Sequence, residues 1–177
     1  MTAGPQPMDD IEVIALSGGV GGAKLVSGLA RVLDPKRLLV IANTGDDFVH
    51  MGLHVSPDID SIVYGTTGRS HPVNGWGRAG ETWNFMEMIA ECGGETWFQL
   101  GDGDLALHVL RTHWLRQCRS LSAITGDLAA ALGVPFRLLP MSDDSVRTIV
   151  ESDAGPLAMQ TYFVREQCRP KAHGFTY

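Results

Sequence analysis

The chain has 177 residues, 44% of them hydrophobic and 19% charged, a length and balance that suit one well-packed domain and argue against intrinsic disorder. Its formal net charge of −6 gives no electrostatic reason to expect a nucleic acid or an anionic membrane as partner, and no run approaches the roughly 18 apolar residues of a membrane span. Cys92, Cys118 and Cys168 are odd in number and far apart, which speaks against a disulfide framework or a zinc site and for reduced, buried thiols.

Residues 1–10 show no basic segment followed by an apolar one, so they read as a disordered tail and not as a secretory signal, and the cytoplasm is the expected location. Residues 11–16 (IEVIAL) form a short, β-branched-rich run that predicts a buried strand. The run breaks into Ser17, Gly18, Gly19, Val20, Gly21 and Gly22, four glycines in six residues, which permit positive φ and close approach of a ligand to the backbone. Over residues 23–33, Val26, Leu29, Ala30 and Leu33 share one helical face. Strand, glycine turn and helix make a unit whose first amides attract phosphate, so nucleotide binding is expected here. The plainer reading is a tight turn that merely needs glycines.

The standard fingerprints fail in informative ways. Lys24 lies between Ala23 and Leu25, so the hydroxyl that follows the lysine of a P-loop is missing. A dinucleotide fingerprint begun at Gly19 meets Lys24 where glycine or alanine belongs, and one begun at Gly18 meets Val20. A nicotinamide oxidoreductase is therefore disfavoured.

Residues 37–43 (RLLVIAN) predict a second buried strand after the Asp34-Pro35 break, giving a βαβ unit and a parallel sheet. Ligands bind such sheets at the carboxyl ends of the strands. Those ends are Ser17-Gly18-Gly19 and Asn43-Thr44-Gly45-Asp46-Asp47. Adjacent carboxylates at Asp46 and Asp47 repel unless a cation or donors compensate, and hard oxygen ligands on loops suit magnesium. In Ser56-Pro57-Asp58-Ile59-Asp60, Ser56 is the expected helix cap, Pro57 the first helical residue and Asp58 an acid suited to the positive helix end. Asp60 has no such local role and is a candidate partner of Asp46.

Residues 65–80 read as a long loop. Trp76, between Gly75 and Gly77, either stacks on a flat ligand or tucks onto the core. Residues 81–92 predict an amphipathic helix stopped by Gly93-Gly94. Asp104 is the expected N-cap of a helix over 105–116, on which His108, Arg111 and His113 have no assigned role. Ser122 is the expected cap of a further helix that stops at Gly133. Residues 136–139 predict a third strand, ending in Pro140-Met141-Ser142-Asp143-Asp144. Residues 148–151 and 158–165 predict a hairpin around Asp153-Ala154-Gly155.

The ordered segments at residues 16–24 (LSGGVGGAK), 43–47 (NTGDD), 56–60 (SPDID), 75–77 (GWG), 97–102 (WFQLGD), 139–144 (LPMSDD) and 160–165 (QTYFVR) together resemble the 2-phospho-L-lactate transferase family of deazaflavin coenzyme F-420 biosynthesis. The resemblance implies a Rossmann-like α/β core and a reaction that moves a phosphorylated three-carbon acid from a guanosine diphosphate-linked donor to the deazaflavin Fo. GMP is released and magnesium is the expected cofactor. It also implies site roles: Asp46 and Asp60 as metal ligands, and Asp47 as the base that orients the acceptor hydroxyl, exchangeable with Asp46. Ser17, Gly18, Gly19, Gly21, Gly22, Asn43, Ser142, Asp143 and Asp144 are the implied nucleotide contacts, the last three also suited to the transferring phosphoryl group. Trp76 and Thr82 are the implied acceptor contacts.

Two departures stand out. Family members are longer, so the expected organisation is a single Rossmann-like domain over residues 11–177 that corresponds to their N-terminal part. Its parallel sheet is flanked by helices, with an added β-hairpin near the C-terminus. An uncovered edge strand then favours self-association, and little activity is expected from these residues alone. Family members also commonly carry a basic residue where Gly103 stands, so a positive charge is expected to be lost there. The alternative function is a non-enzymatic nucleotide-sugar-binding regulator of the gluconeogenesis factor type, which has a different continuation after its acidic pair.

Overall fold

A computed structural model of the chain describes residues 10–72 and 77–177. The expected tail, apart from Asp10, and Trp76 lie outside the described residues. In chain order the elements are β1 (Val13–Ser17), α1 (Gly19–Val32), β2 (Leu38–Ala42), β3 (Phe48–His50), β4 (Leu53–Val55), α2 (Pro57–Thr66), α3 (Asn84–Glu91), α4 (Asp102–Arg116), α5 (Leu121–Leu132), β5 (Arg137–Pro140), β6 (Ile149–Ser152), β7 (Gly155–Ala158) and β8 (Ala172–Thr176).

The strand–helix–strand start forms as expected. β1 and β2 are parallel, with Ser17 opposite Ala42, and β5 adds parallel to β2, giving the order β1-β2-β5. Three strand ends are thereby brought to one side of the domain. The inward alternation Ala15, Leu38, Val40, Ala42 and Leu138 packs against Ala23 and Val26 of α1, Ile59, Ile62 and Val63 of α2, Leu107 of α4 and Leu121 and Ala129 of α5. On the opposite face of the edge strand β1, Ile14 and Leu16 stay 57% and 76% exposed.

Several local expectations are corrected. α1 begins four residues earlier than predicted, so the glycines are its first turn and not a loop before it. Ser56 precedes α2 without capping it; its hydroxyl donates to Asp47 Oδ2 (2.7 Å) instead. Asp104 sits inside the first turn of α4, whose cap position is Gly101. The carboxylate of Glu81 accepts from the amides of Gly103 (2.6 Å) and Asp104 (3.0 Å). Asp102 does the same for α3, accepting from Phe85 N, Asn84 N and the Thr82 hydroxyl, so each helix start is capped from the segment leading to the other. Ser120, not Ser122, caps α5 by accepting from Ala123 N. Gly133 ends α5 at φ 84° as expected.

β3 and β4 form a hairpin that the sequence did not announce. Its two-residue loop is Met51-Gly52, both at positive φ (50° and 75°), the geometry that fits the twist of a tight hairpin. In the C-terminal part a hairpin forms as expected, but its second strand, β7, runs over Gly155–Ala158 and ends where the expected strand of residues 158–165 begins. Residues Thr161–Arg165 wind into a π-helical turn, and β8 supplies the third strand, giving the order β7-β6-β8. The three cysteines are free but exposed, not buried. Among the described residues no helix is long and apolar enough to cross a membrane.

The asymmetry of the parallel sheet has a measurable consequence. Leu38→Ala, on the packed face, is expected to lower unfolding stability by about 2–5 kcal/mol, whereas Leu16→Ser, on the open face, shifts it by no more than about 0.5 kcal/mol. Urea denaturation of the two variants checks the contrast.

Candidate functional site at the strand ends

The site is assembled around Asp58, in the first turn of α2. Its Oδ1 accepts from the amide of Gly19 (2.6 Å) and its Oδ2 from Asn43 Nδ2 (2.7 Å). One carboxylate therefore ties the glycine turn after β1 to the loop after β2. Gly19 holds φ 61°, a conformation glycine takes without strain. A Cβ on Gly18 would crowd the Asp58 carboxylate and Asn43 Cβ at 3.1 and 3.2 Å, and one on Gly22 would run into the Ser17 hydroxyl and backbone. A Cβ on Gly21 would meet nothing within 4 Å, so the chain is open where the first helical amides lack internal acceptors.

Asn43 completes the bracket by accepting from Gly45 N (3.0 Å) through Oδ1. Asp47 turns inward, 5% exposed. Its Oδ2 receives the Ser56 hydroxyl and lies 3.0 Å from His54 Nε2, while its Oδ1 is buried with no partner among the described residues. The hydroxyls of Ser17 and Thr44 are likewise buried and unpartnered. Three polar atoms at two adjacent strand ends thus stand desolvated without a hydrogen bond, which costs stability unless something binds there.

Asp46 is half-buried, with Gln160 Nε2 at 3.5 Å from its Oδ2. Burial, then the charges of Asp58 and Asp47, push its carboxyl up to about 6. Burial likewise raises Asp58, against the hydrogen bonds from Asn43 and Gly19. A cluster of hard carboxylate oxygens beside unpartnered hydroxyls suits a divalent cation with oxygen ligands.

Asp60 goes elsewhere. Both its oxygens are held by the guanidinium of Arg111, at 3.2 Å to Oδ2 from Nη1 and through a close contact of Nη2 with Oδ1. His108 stands between Asp60 and Asp104, and Tyr64 donates to Asp104 Oδ1 (2.5 Å). Burial pulls Asp60 towards its neutral form, but a guanidinium bonded to both oxygens decides for the ion pair. Burial alone would lower Arg111; the carboxylate beside it more than offsets this and holds it above its ordinary value. The carboxylates acting on Asp46 are thus those of Asp58 and Asp47, not Asp60.

At the end of β5, Asp143 accepts from the amide and hydroxyl of Ser122 (2.7 and 2.9 Å) and caps α5. The Ser142 hydroxyl accepts from Asp144 N (3.0 Å). Thr82 is occupied in the α3 cap. A side chain at position 103 would run into the guanidinium of Arg78, which bonds Glu81 at 3.2 Å; a positive charge therefore stands beside Gly103 although residue 103 carries none. Sequence reasoning weighed Asp58 only as a helix-start acid and did not assign Thr44, His54 or Gln160. Gln160 lies 114 residues from Asp46, and no local pattern links them.

Fold and site together define a Rossmann-like α/β domain whose polar site lies at the carboxyl ends of its parallel strands. The model of the 2-phospho-L-lactate transferase CofD family matches residues 13–176, and the chain belongs to that family. It is 42% identical over 161 residues to a phosphoenolpyruvate transferase of Kitasatospora aureofaciens, covering 88% of this chain and 50% of that protein. It is 36% identical over 159 residues to a 2-phospho-L-lactate transferase of Methanococcoides burtonii, covering 90% and 52%. The chain thus spans about half the length of these curated relatives. A crystal structure of a Bacillus halodurans protein of the upf0052 family shares the fold, with a TM-score of 0.51 and 14% identity over 93% of this chain and 50% of that one.

The raised Asp46 carboxyl sets a pH dependence. A carboxyl whose folded pKa lies above its unfolded value costs stability when ionised, so the cost is full above about pH 6 and vanishes as pH falls towards 3.8. Without metal, Asp46→Asn is expected to melt above the wild type at pH 8, with the gap closing by pH 4. Thermal melts across that range check the sign.

Proposed function

We propose that this chain carries the donor- and metal-binding part of a transferase in coenzyme F-420 biosynthesis. It moves a phosphorylated three-carbon acid, of the 2-phospholactate or phosphoenolpyruvate type, from a guanosine diphosphate-linked donor to the deazaflavin Fo. The observation that carries this reading is the convergence of buried, unpartnered Ser17 Oγ, Thr44 Oγ1 and Asp47 Oδ1 with the crowded Asp46 carboxyl at two adjacent strand ends.

Transfer at phosphorus needs charge neutralisation and in-line placement more than covalent catalysis. The acceptor hydroxyl oxygen forms the new bond at the phosphorus bearing the three-carbon acid. The bond from that phosphorus to the bridging oxygen breaks, and GMP departs with the oxygen. Asp47, with one oxygen fixed by Ser56 and His54 and the other free, is placed to take the hydroxyl proton. The first amides of α1, about Val20 and Gly21, hold donor phosphate. Magnesium would be held by Asp46 with Asp58 beside it, Asp60 joining only if it leaves Arg111; when bound it offsets phosphate charge.

Incubation with Fo, magnesium and donor tests the reading: a new phosphodiester supports it. Saturable nucleotide-sugar binding without product would support the regulator alternative instead. Two variants sharpen the test. Gly21→Val is expected to fold normally, because its side chain enters open space, yet to weaken GMP binding about tenfold or more, a loss of roughly 1.4 kcal/mol. Asp46→Asn is expected to weaken magnesium binding by a similar factor of about ten, read by titration calorimetry. Unchanged GMP affinity in folded Gly21→Val would remove the phosphate assignment.

A further inference from the structure

A second concavity adjoins the site on the side away from the glycine turn. It has a volume of about 180 Å³ and lies between the ends of β2 and β5, with Thr44, Asp47, His54, Asp144 and Arg147 in its lining. None of the glycine-turn residues borders it. The volume is below that of ordinary drug-sized pockets, roughly 300–1,000 Å³, and suits a group of a few heavy atoms, not a nucleoside.

Its chemistry points to an anion. Arg147 Nε is buried without a hydrogen-bond partner, and among the described residues no carboxylate pairs with this guanidinium. The Thr44 hydroxyl, 2% exposed, is a second unused donor in the same wall. None of the three acids in the lining bonds the guanidinium: Asp143 accepts from Ser122, Asp47 Oδ2 accepts from Ser56 with His54 beside it, and Asp144 is exposed to solvent. Arg147 is held at the cavity by its neighbour. The amide of Thr148 donates to Gly45 O (2.7 Å), and a Cβ on Gly45 would stand 2.9 Å from the Thr148 hydroxyl. The start of β6 is therefore fastened to the loop that carries Thr44, Asp46 and Asp47. A guanidinium with a free face is the side chain best shaped to take a carboxylate through two parallel hydrogen bonds.

We propose that this cavity is the subsite for the carboxylate of the transferred three-carbon acid, with Arg147 as its counter-ion and Thr44 Oγ1 as a second donor. The proposal rests on the transferase reading. It divides the donor between two places: guanosine phosphate at the start of α1, and the small acid between β2 and β5. Arg147 then selects donors that carry a carboxylate.

The test uses phosphoenolpyruvate and GMP as separate probes of the 177-residue chain, with binding read by ligand-observed NMR. The expected result is that Arg147→Gln weakens phosphoenolpyruvate about tenfold or more and Arg147→Lys less, while GMP affinity stays within about twofold in both. Retained GMP binding also shows that the variants are folded. Pyruvate should displace phosphoenolpyruvate better than inorganic phosphate does. Equal phosphoenolpyruvate binding in Arg147→Gln, equal loss of GMP and phosphoenolpyruvate, or better displacement by phosphate each overturns the subsite. Wild-type protein that binds GMP but not phosphoenolpyruvate overturns the subsite and spares the transferase reading. Protein that binds phosphoenolpyruvate through Arg147 but not GMP keeps the subsite and removes the guanosine donor.

Discussion

Arg111 carries a full charge at 1% exposure, and much of the architecture answers to it. An isolated buried cation is prohibitively costly, so its surroundings must supply compensating charge and acceptors. Asp60 supplies the carboxylate, and the His54 carbonyl lies at 3.5 Å. His108 and Asp104 extend the network, and Tyr64, its phenol pushed well above the ordinary value by burial and the nearby acids, stays a donor to Asp104. The pair fixes α4 against α2 and brings the β3–β4 hairpin to both. Replacing it by well-packed apolar groups would not necessarily cost stability. What the ion pair supplies is a defined alignment of three elements, and that alignment sets the first turn of α2.

Two residues before Asp60, that turn presents Asp58 to Gly19 and Asn43. Position in the helix and position in the site are therefore coupled: the side of α2 that faces α4 has its carboxylate paired with Arg111, and the side that faces the strand ends presents Asp58, whose carboxyl burial holds above its ordinary value. The hairpin anchored by the same pair delivers His54 and Ser56 to one oxygen of Asp47. Ser56 gives up its expected capping role to do so, and α1 in turn takes its cap from a carboxylate of another helix. Capping rules describe what a helix end needs; tertiary contacts decide which group meets the need.

The same distinction accounts for what could be read from the sequence. The βαβ start, the third parallel strand and the stop at Gly133 follow from apolar runs and glycine positions, which are local. The strand-end loops holding Asp46, Asp47, Ser142, Asp143 and Asp144 follow from the same reading, because parallel strands place their carboxyl ends together. The roles within those loops do not follow. Asp60 and Arg111 are 51 residues apart, and periodicity says only that each lies on a helix, not which faces meet. Asp143 and Ser142, read as ligand contacts, have nearby backbone amides to satisfy first. Residues 161–165 (TYFVR) have the β-branched and aromatic composition of a strand, yet their backbone winds into a π-helical turn that sets Arg165 over the Trp97 ring at 5.8 Å. Met51-Gly52 lacks the asparagine or aspartate that usually announces a tight hairpin.

Buried polar atoms without a hydrogen bond occur elsewhere too, at His50, Arg111 and Thr125, but at the strand ends they gather beside a crowd of acids. The edge strand β1 alternates, the central strand β2 is buried on both faces, the helix starts at α3 and α4 are capped, and Arg111 is paired with Asp60. At the ends of β1 and β2 two hydroxyls and a carboxylate oxygen are left unpaired, and acids crowd together until one holds its proton up to about pH 6. Local inconsistency of this kind persists where binding relieves it. The relief needed has two signs: the Asp46 cluster asks for a cation, and Arg147, across Thr44, asks for an anion. A phosphate ester carrying a carboxylate, met by a metal ion, satisfies both at once. The donor proposed above carries both groups in one molecule.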